Sequence, residues 1–394
     1  MKKPLLFTIA LSVIGFGATA QDVNIPDANF KAYLVGNPLI NTNSDTEIQV
    51  SEAAAFTGNI FGTNLGITDL TGVEAFTSIE GLYVRDNNLG SFDVSACTAL
   101  TYLDCQNTGI STLDISANTA LGGITCSMNN LTSLDVSTNT ALTAINCSNN
   151  DITSLDVTNN PLLSNFSCDN NDIASLDVSN CTNLLYFVCH YNNLTSIDVS
   201  NCTPLSWFSC SGNAISTLDL SNNIALGNLY CAQTDLTMLD LAVNTTLQAI
   251  NASDCDLSIL NIANGNNANF SSFNTIGNPN LTCIQVDDAA WSTTNWTNID
   301  GTSSFSEDCG YPLAVNEIEL NKDLSLYPNP SSSKLTIELE EAISSITIFD
   351  AMGNAIQANL TSSNSIDVSG LSNGVYVLQV ETEKGVARQK FIKD

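Results

Sequence analysis

The segment Leu142–Leu162, LTAINCSNNDITSLDVTNNPL, is one copy of a 21-residue unit that recurs through the middle of the chain. Asp93, Asp114, Asp135, Asp156, Asp177, Asp198, Asp219 and Asp240 stand 21 residues apart, and Asn261 takes the next slot. In this copy Leu142, Ile145, Cys147, Ile152, Leu155 and Val157 are apolar, with Asn150 and Asn160 between them. A unit so short cannot bury an apolar face alone, so successive copies must stack into a solenoid.

The pattern L-x-x-L-x-C-x-x-N-x-[LI] resembles the leucine-rich repeat, with Cys in place of the third Leu. The resemblance implies a mainly β solenoid in which each L-x-x-L-x-C segment adds one short strand to a parallel sheet. The T-S-L-D-V-S half also alternates apolar and polar residues, which predicts a second, shorter extended run on the other face. Gly109, Ala214 and Ala252 break single columns without breaking the period. Working outward, the solenoid is assigned to residues 56–277, with looser rungs at 56–92. An N-terminal cap covers 21–55, where Phe30, Tyr33 and Leu34 predict a short helix, and a C-terminal cap covers 278–310, where Trp291 and Trp296 are expected to close the last rung.

The chain has 394 residues, of which 40 are Asp or Glu and 10 are Lys or Arg, and none between Arg85 and Lys322 is basic. Phosphate binding needs a basic footprint, so nucleic acid is excluded as a partner and adsorption to anionic lipid is disfavoured. Lys2 and Lys3, the apolar run Leu5–Phe16 and Ala18-Thr19-Ala20 read as a secretory signal over residues 1–20. No later segment is long and apolar enough to form a transmembrane helix.

The composition changes after a linker at 311–323. Residues 324–394 alternate short strands with turn residues, as in a small antiparallel β-sandwich. Tyr327-Pro328-Asn329-Pro330, Asp350–Gly353, Gly374-Val375-Tyr376 and the basic end with Lys384, Arg388 and Lys390 resemble the type A C-terminal sorting domain of the type IX secretion system. That resemblance implies engagement of the type IX machinery and delivery to the extracellular space or the outer-membrane surface of a Gram-negative bacterium.

Four constellations could carry chemistry. Asn41, Asn43, Asp45 and Glu52 match a degraded EF-hand calcium loop, with Asn in the first slot and Thr46 where Gly belongs; an ordinary polar turn is the alternative. The Cys column from Cys105 to Cys231 points inward, where thiols act as small hydrophobes. Cys283 and Cys309 bracket the cap and could close it as a disulfide. The Asp column points outward as a carboxylate ladder, each Asp solvated or bonded to its own turn, with calcium as the other reading.

The outward slots of the strands are mostly small or polar, except where Tyr186, Val188, His190, Tyr191, Trp207 and Tyr230 fall on three successive rungs. Such a patch suits stacking on sugar rings or gripping a protein loop. His190 is the only His and lies in no nucleophile motif, so no catalytic residue is assigned. The expectation is a non-enzymatic binding protein for a surface or extracellular protein or glycan. A calcium-responsive structural coat and a carboxylate-dependent glycosidase are the alternatives, and no cofactor is assigned beyond that calcium.

Overall fold

A computed structural model describes residues 21–310, 324–339, 341–349, 355–357, 360–362, 364–382 and 385–394. The expected secretory signal over residues 1–20, the expected linker at 311–323, Asp350–Gly353 and Lys384 lie outside the described residues. The chain divides into two compact units that meet at Cys309 and Gly310.

The first unit is a stack of short parallel strands whose main sheet has eleven strands, running in chain order from Asn59–Phe61 to Ser272–Asn274. Over most of the sheet the register advances one unit per strand, as in Ala144↔Asn165 and Tyr186↔Trp207. The central residue of each strand, such as Ile145, Phe166, Phe187 or Phe208, is buried, as is the whole Cys column. Burial pushes the thiols up, Cys210 to about 12, so they are neutral hydrophobes at physiological pH.

The turn after most strands is held by a buried Asn, with Thr108, Thr234 and Cys255 in its place on three rungs. Asn150 donates to the carbonyls of Cys126 and Cys147 (3.1 and 2.9 Å) and accepts from Leu131 N–H (3.0 Å). On the opposite turn Asn160 donates to Val136 and Asn139 carbonyls, but its Oδ1 has no partner. That second column therefore needs only a donor, which explains why Cys181 and Cys202 can stand in it, each with its thiol toward buried carbonyls.

The second extended run is more restricted than the alternation predicts. Strands form on that side only at Met238–Asp240, Ile259–Asn261, Cys283–Gln285 and Ser304–Ser306. In the first three the residue before the central apolar one is Met238, Ile259 or Cys283, whereas earlier rungs carry Ser or Thr there, such as Ser133 and Ser154. The apolar side chain favours extended pairing. The bond that closes the following turn is common to both kinds of rung: Asp135 Oδ1 accepts from Ser137 N–H and Asp156 Oδ1 from Thr158 N–H, both 2.9 Å, and Asp240 Oδ1 accepts from Ala242 N–H at 3.1 Å.

Helix α1 (Ala28–Val35) buries Phe30 and Leu34 and is capped by Asp27, whose side chain accepts from Asn29 and Phe30 N–H. Helix α2 (Val50–Ala55) opens on a Gln49/Glu52 capping box. At the other end α3 (Ala289–Asn295) leads into Trp296, which stacks on Phe273 at 4.2 Å, with Trp291 edge-on to it at 5.7 Å. Cys283 and Cys309 are disulfide-bonded, with Cα atoms 5.8 Å apart. The second unit is a pair of four-stranded antiparallel sheets around Leu335, Ile337, Ile348, Ile366, Leu378 and Phe391.

Candidate functional site

Period-two alternation turns Phe187 and Phe208 into the core and sets Tyr186 and Trp207 on the outer face of the large sheet. Inside, Phe166, Phe187 and Phe208 stack at 5.4 Å steps. Outside, Tyr186 and Trp207 stack at 5.7 Å and Trp207 meets Tyr230 at 5.2 Å. The outer belt thus rests on an inner ladder of rings, and its side chains have little freedom left to lose on binding. Tyr186 is 38% exposed, and Trp207 and Tyr230 are half-buried. Val188, expected in the exposed patch, is buried at 6% exposure, so it supports the patch rather than lining it.

His190 lies beside the belt. Its Nδ1 is 3.2 Å from Ser209 Oγ and its Nε2 is 3.4 Å from Asp169 Oδ2. Asp169 also accepts from Ser148 Oγ and from Asn170 Nδ2 (2.8 Å). Ser, His and Asp are in line, but Ser209 sits on a flat strand, and the next backbone N–H, at Cys210, is bonded to Tyr230 carbonyl within the sheet (2.8 Å). That donor is not directed at an oxyanion above Ser209, as acyl transfer would need. What the cluster offers is a row of hydrogen-bonding groups along an aromatic belt.

Tyr191 holds a left-handed backbone, φ 51°. The same left-handed turn position is Asn107, Asn149, Asn170, Gly212 or Asp254 on other rungs, residues that tolerate the conformation, and Met128 and Gln233 on two more. The Tyr191 ring is 52% exposed, edge-on to His190 at 5.3 Å, and lies over Gly212, where an added Cβ would collide with it. The turn itself imposes the left-handed backbone, so what distinguishes Tyr191 is its exposed ring beside His190.

The residues of the expected calcium loop come together, and the carboxylate oxygens already have donors, whereas the buried Asn41 Oδ1 has no partner. Glu52 Oε1 accepts from Thr42 N–H and Oγ1 (both 2.8 Å) and from Asn43 N–H, and Oε2 accepts from Gln49 N–H. Asp45 accepts from Glu47 N–H, Asn43 Nδ2 and Gln49 Nε2. Asn41 donates to Val35 and Asp45 carbonyls and is buried. Burial alone would raise Glu52, yet the Gln49, Thr42 and Asn43 donors hold its carboxyl below the usual range. A cation held here would have to displace the bonds on Glu52 and Asp45 but none on Asn41 Oδ1.

In the second unit Asn329 ties the Tyr327-Pro328-Asn329-Pro330 segment to the final strand: its Nδ2 donates to Lys390 carbonyl (3.2 Å) and its Oδ1 accepts from Ile392 N–H (2.9 Å). The strand Gly374–Thr382 carries Tyr376, which stacks on Phe391 at 5.6 Å and donates to Ser372 carbonyl. Sequence elements some 60 residues apart thereby form one structure.

The two units have separate likenesses. Residues 325–394 match the family described as "Secretion system C-terminal sorting domain". No curated protein matches the chain. Among solved structures, a leucine-rich-repeat protein of Leptospira interrogans is 18% identical over 59% of this chain and 62% of its own, with a TM-score of 0.50. A TDR receptor is 18% identical over 58% of this chain and 44% of its own, also at 0.50. The functional domain of InlJ from Listeria monocytogenes is 24% identical over 95% of this chain and 99% of its own, at 0.43. The first two show a leucine-rich-repeat fold for the solenoid. Among the described residues no helix is long and apolar enough to cross a membrane.

Proposed function

We propose that this leucine-rich-repeat protein with a type IX secretion sorting domain is delivered to the cell surface or the medium and there recognises an extracellular ligand through Tyr186, His190, Tyr191, Trp207 and Tyr230. The single observation that carries this reading is the aromatic belt: three rings in contact on the outer face of a rigid sheet, with Ser209, His190 and Asp169 presenting polar atoms alongside. Rings of this kind supply a large contact area at small entropic loss, and the flanking polar groups give direction.

Export rests on the sorting-domain match, and the outer-membrane surface of a Gram-negative bacterium is the destination that fits it. The binding reading is tested by screening glycans and extracellular proteins against the wild type and Trp207→Ala. It stands if a ligand is found whose binding is lost in Trp207→Ala while the solenoid stays folded by circular dichroism. It falls if every ligand found binds the variant as well as the wild type.

A further inference from the structure

A second aromatic stack lies near the N-terminal end of the same sheet. Phe61 and Tyr83 stack at 5.0 Å, and Tyr83 and Tyr102 at 5.4 Å, their planes within 24° of parallel. Phe61 is 56% exposed and both tyrosines are half-buried. The rings are seated on glycines: a Cβ at Gly123 would stand 2.8 Å from the Tyr102 ring, and one at Gly81 the same distance from Tyr83. Tyr102 Oη is pinned to Thr125 Oγ1 at 3.1 Å, and the backbone N–H of Phe61 is held by Tyr33 Oη at 2.8 Å. The stack is therefore built and fixed in place.

Its surroundings define the ligand class. Arg85, the only basic residue between Lys31 and Lys322, follows Tyr83 by two positions with its side chain 46% exposed, and Asp104 pairs with Tyr83 across the sheet. One cation is balanced by Asp86, bonded to Arg85 Nε at 3.1 Å, and by Asp104. Such a site has donors, acceptors and ring faces but no excess positive charge to hold an anion. Between the two stacks the outer slots are Gly123, Thr125, Ala144, Asn146, Asn165 and Ser167, a floor of small, mostly polar side chains. Tyr102 and Tyr186 are four rungs apart, which at the usual strand spacing is roughly 19 Å.

We propose that Phe61, Tyr83 and Tyr102, with Arg85 beside them, form a second sugar-binding platform, and that one extended neutral glycan runs along the sheet to engage both aromatic stacks. The inference rests on the binding role proposed for the Trp207 belt and names its ligand. A protein partner would need apolar contact to continue across the centre of its interface, where this face offers small polar groups. A polymer that presents a flat ring face at intervals and hydroxyls between needs only what is there.

The test is titration calorimetry of the full chain with neutral β-linked glucan and N-acetylglucosamine oligomers, from disaccharide to decasaccharide, against wild type, Tyr102→Ala and Trp207→Ala. Gly123→Leu serves as a second variant that unseats the Tyr102 ring without touching the core. Linked sites raise apparent affinity by effective concentration. The expected result is at least a tenfold gain in affinity between short and long oligomers, removed by Tyr102→Ala, Gly123→Leu or Trp207→Ala. If Trp207→Ala abolishes binding at every length and Tyr102→Ala and Gly123→Leu change nothing, the second platform is refuted and the Trp207 belt stands. If no oligomer binds and a protein ligand is instead lost in Trp207→Ala, the glycan assignment is refuted and the belt again stands. Binding of long oligomers that no variant affects refutes both.

Discussion

Two columns of buried asparagine run the length of the solenoid, and their different bonding predicts different stability losses. Asn150→Ala removes the only acceptor for Leu131 N–H and three donated bonds, to the carbonyls of Cys126, Cys147 and, more weakly, Ser148 at 3.3 Å. The first two carbonyls keep a partner each, because Asn129 also donates to Cys126 carbonyl and Asn171 to Cys147 carbonyl. The orphaned N–H costs about 1–3 kcal/mol and the two shorter lost bonds about 1 kcal/mol each, so a loss of about 3–5 kcal/mol is expected. Asn160→Ala removes two donated bonds and orphans nothing, since Asn139 N–H still reaches Val136 carbonyl and Leu142 N–H still reaches Asn139 carbonyl. It also removes a buried Oδ1 that has no partner. Its loss should be about 1–2 kcal/mol. Burial alone predicts the reverse order, because Asn160 is fully buried and Asn150 is 8% exposed. Urea unfolding followed by tryptophan fluorescence measures the difference, and all three Trp, at 207, 291 and 296, report the solenoid and its cap. Equal losses, or a larger one for Asn160→Ala, would refute the distinction between the columns.

Other outcomes follow from single side chains. Tyr191→Asn should stabilise the solenoid by about 1 kcal/mol by relieving the left-handed tyrosine, and weaken ligand binding, as melting and titration would show. Asp104 is held above the usual carboxylate range by burial, so its charged form opposes folding; Asp104→Asn should raise stability at pH 7, with the gain fading as pH falls through the carboxylate range. Asp114, Asp135, Asp156 and Asp177 are held below that range by the Ser or Thr two residues on. Their contribution is present above about pH 4 and is lost as pH falls through their depressed values, so acid melts of Ser137→Ala should lose less than wild type below pH 4. Replacing both Cys283 and Cys309 by Ser opens a loop of sequence separation 26 and should lower stability by about 3 kcal/mol in urea.

The strict Asp spacing made the rungs readable, because a fixed period leaves one way to stack and one set of residues to face the core. Cys105 to Cys231 and the Tyr186–Trp207 belt were legible for that reason: strand alternation assigns each slot a side. The stack at Phe61, Tyr83 and Tyr102 was not, since it lies in rungs whose spacing drifts to 22, and the seating glycines at 81 and 123 look like ordinary gaps. The Ser209–His190–Asp169 cluster was hidden because its members are 19 to 21 residues apart and meet only after coiling. The second sheet was overread, because alternation in S-L-D-V-S says which side chains point inward without saying that the backbones pair.

The most direct test of the central claim is the binding of the screened ligand to wild type and Trp207→Ala side by side. Recognition through the aromatic belt predicts at least a tenfold loss of affinity with an unchanged circular dichroism spectrum, because the indole bridges Tyr186 and Tyr230. Equal affinity for the two proteins would contradict it.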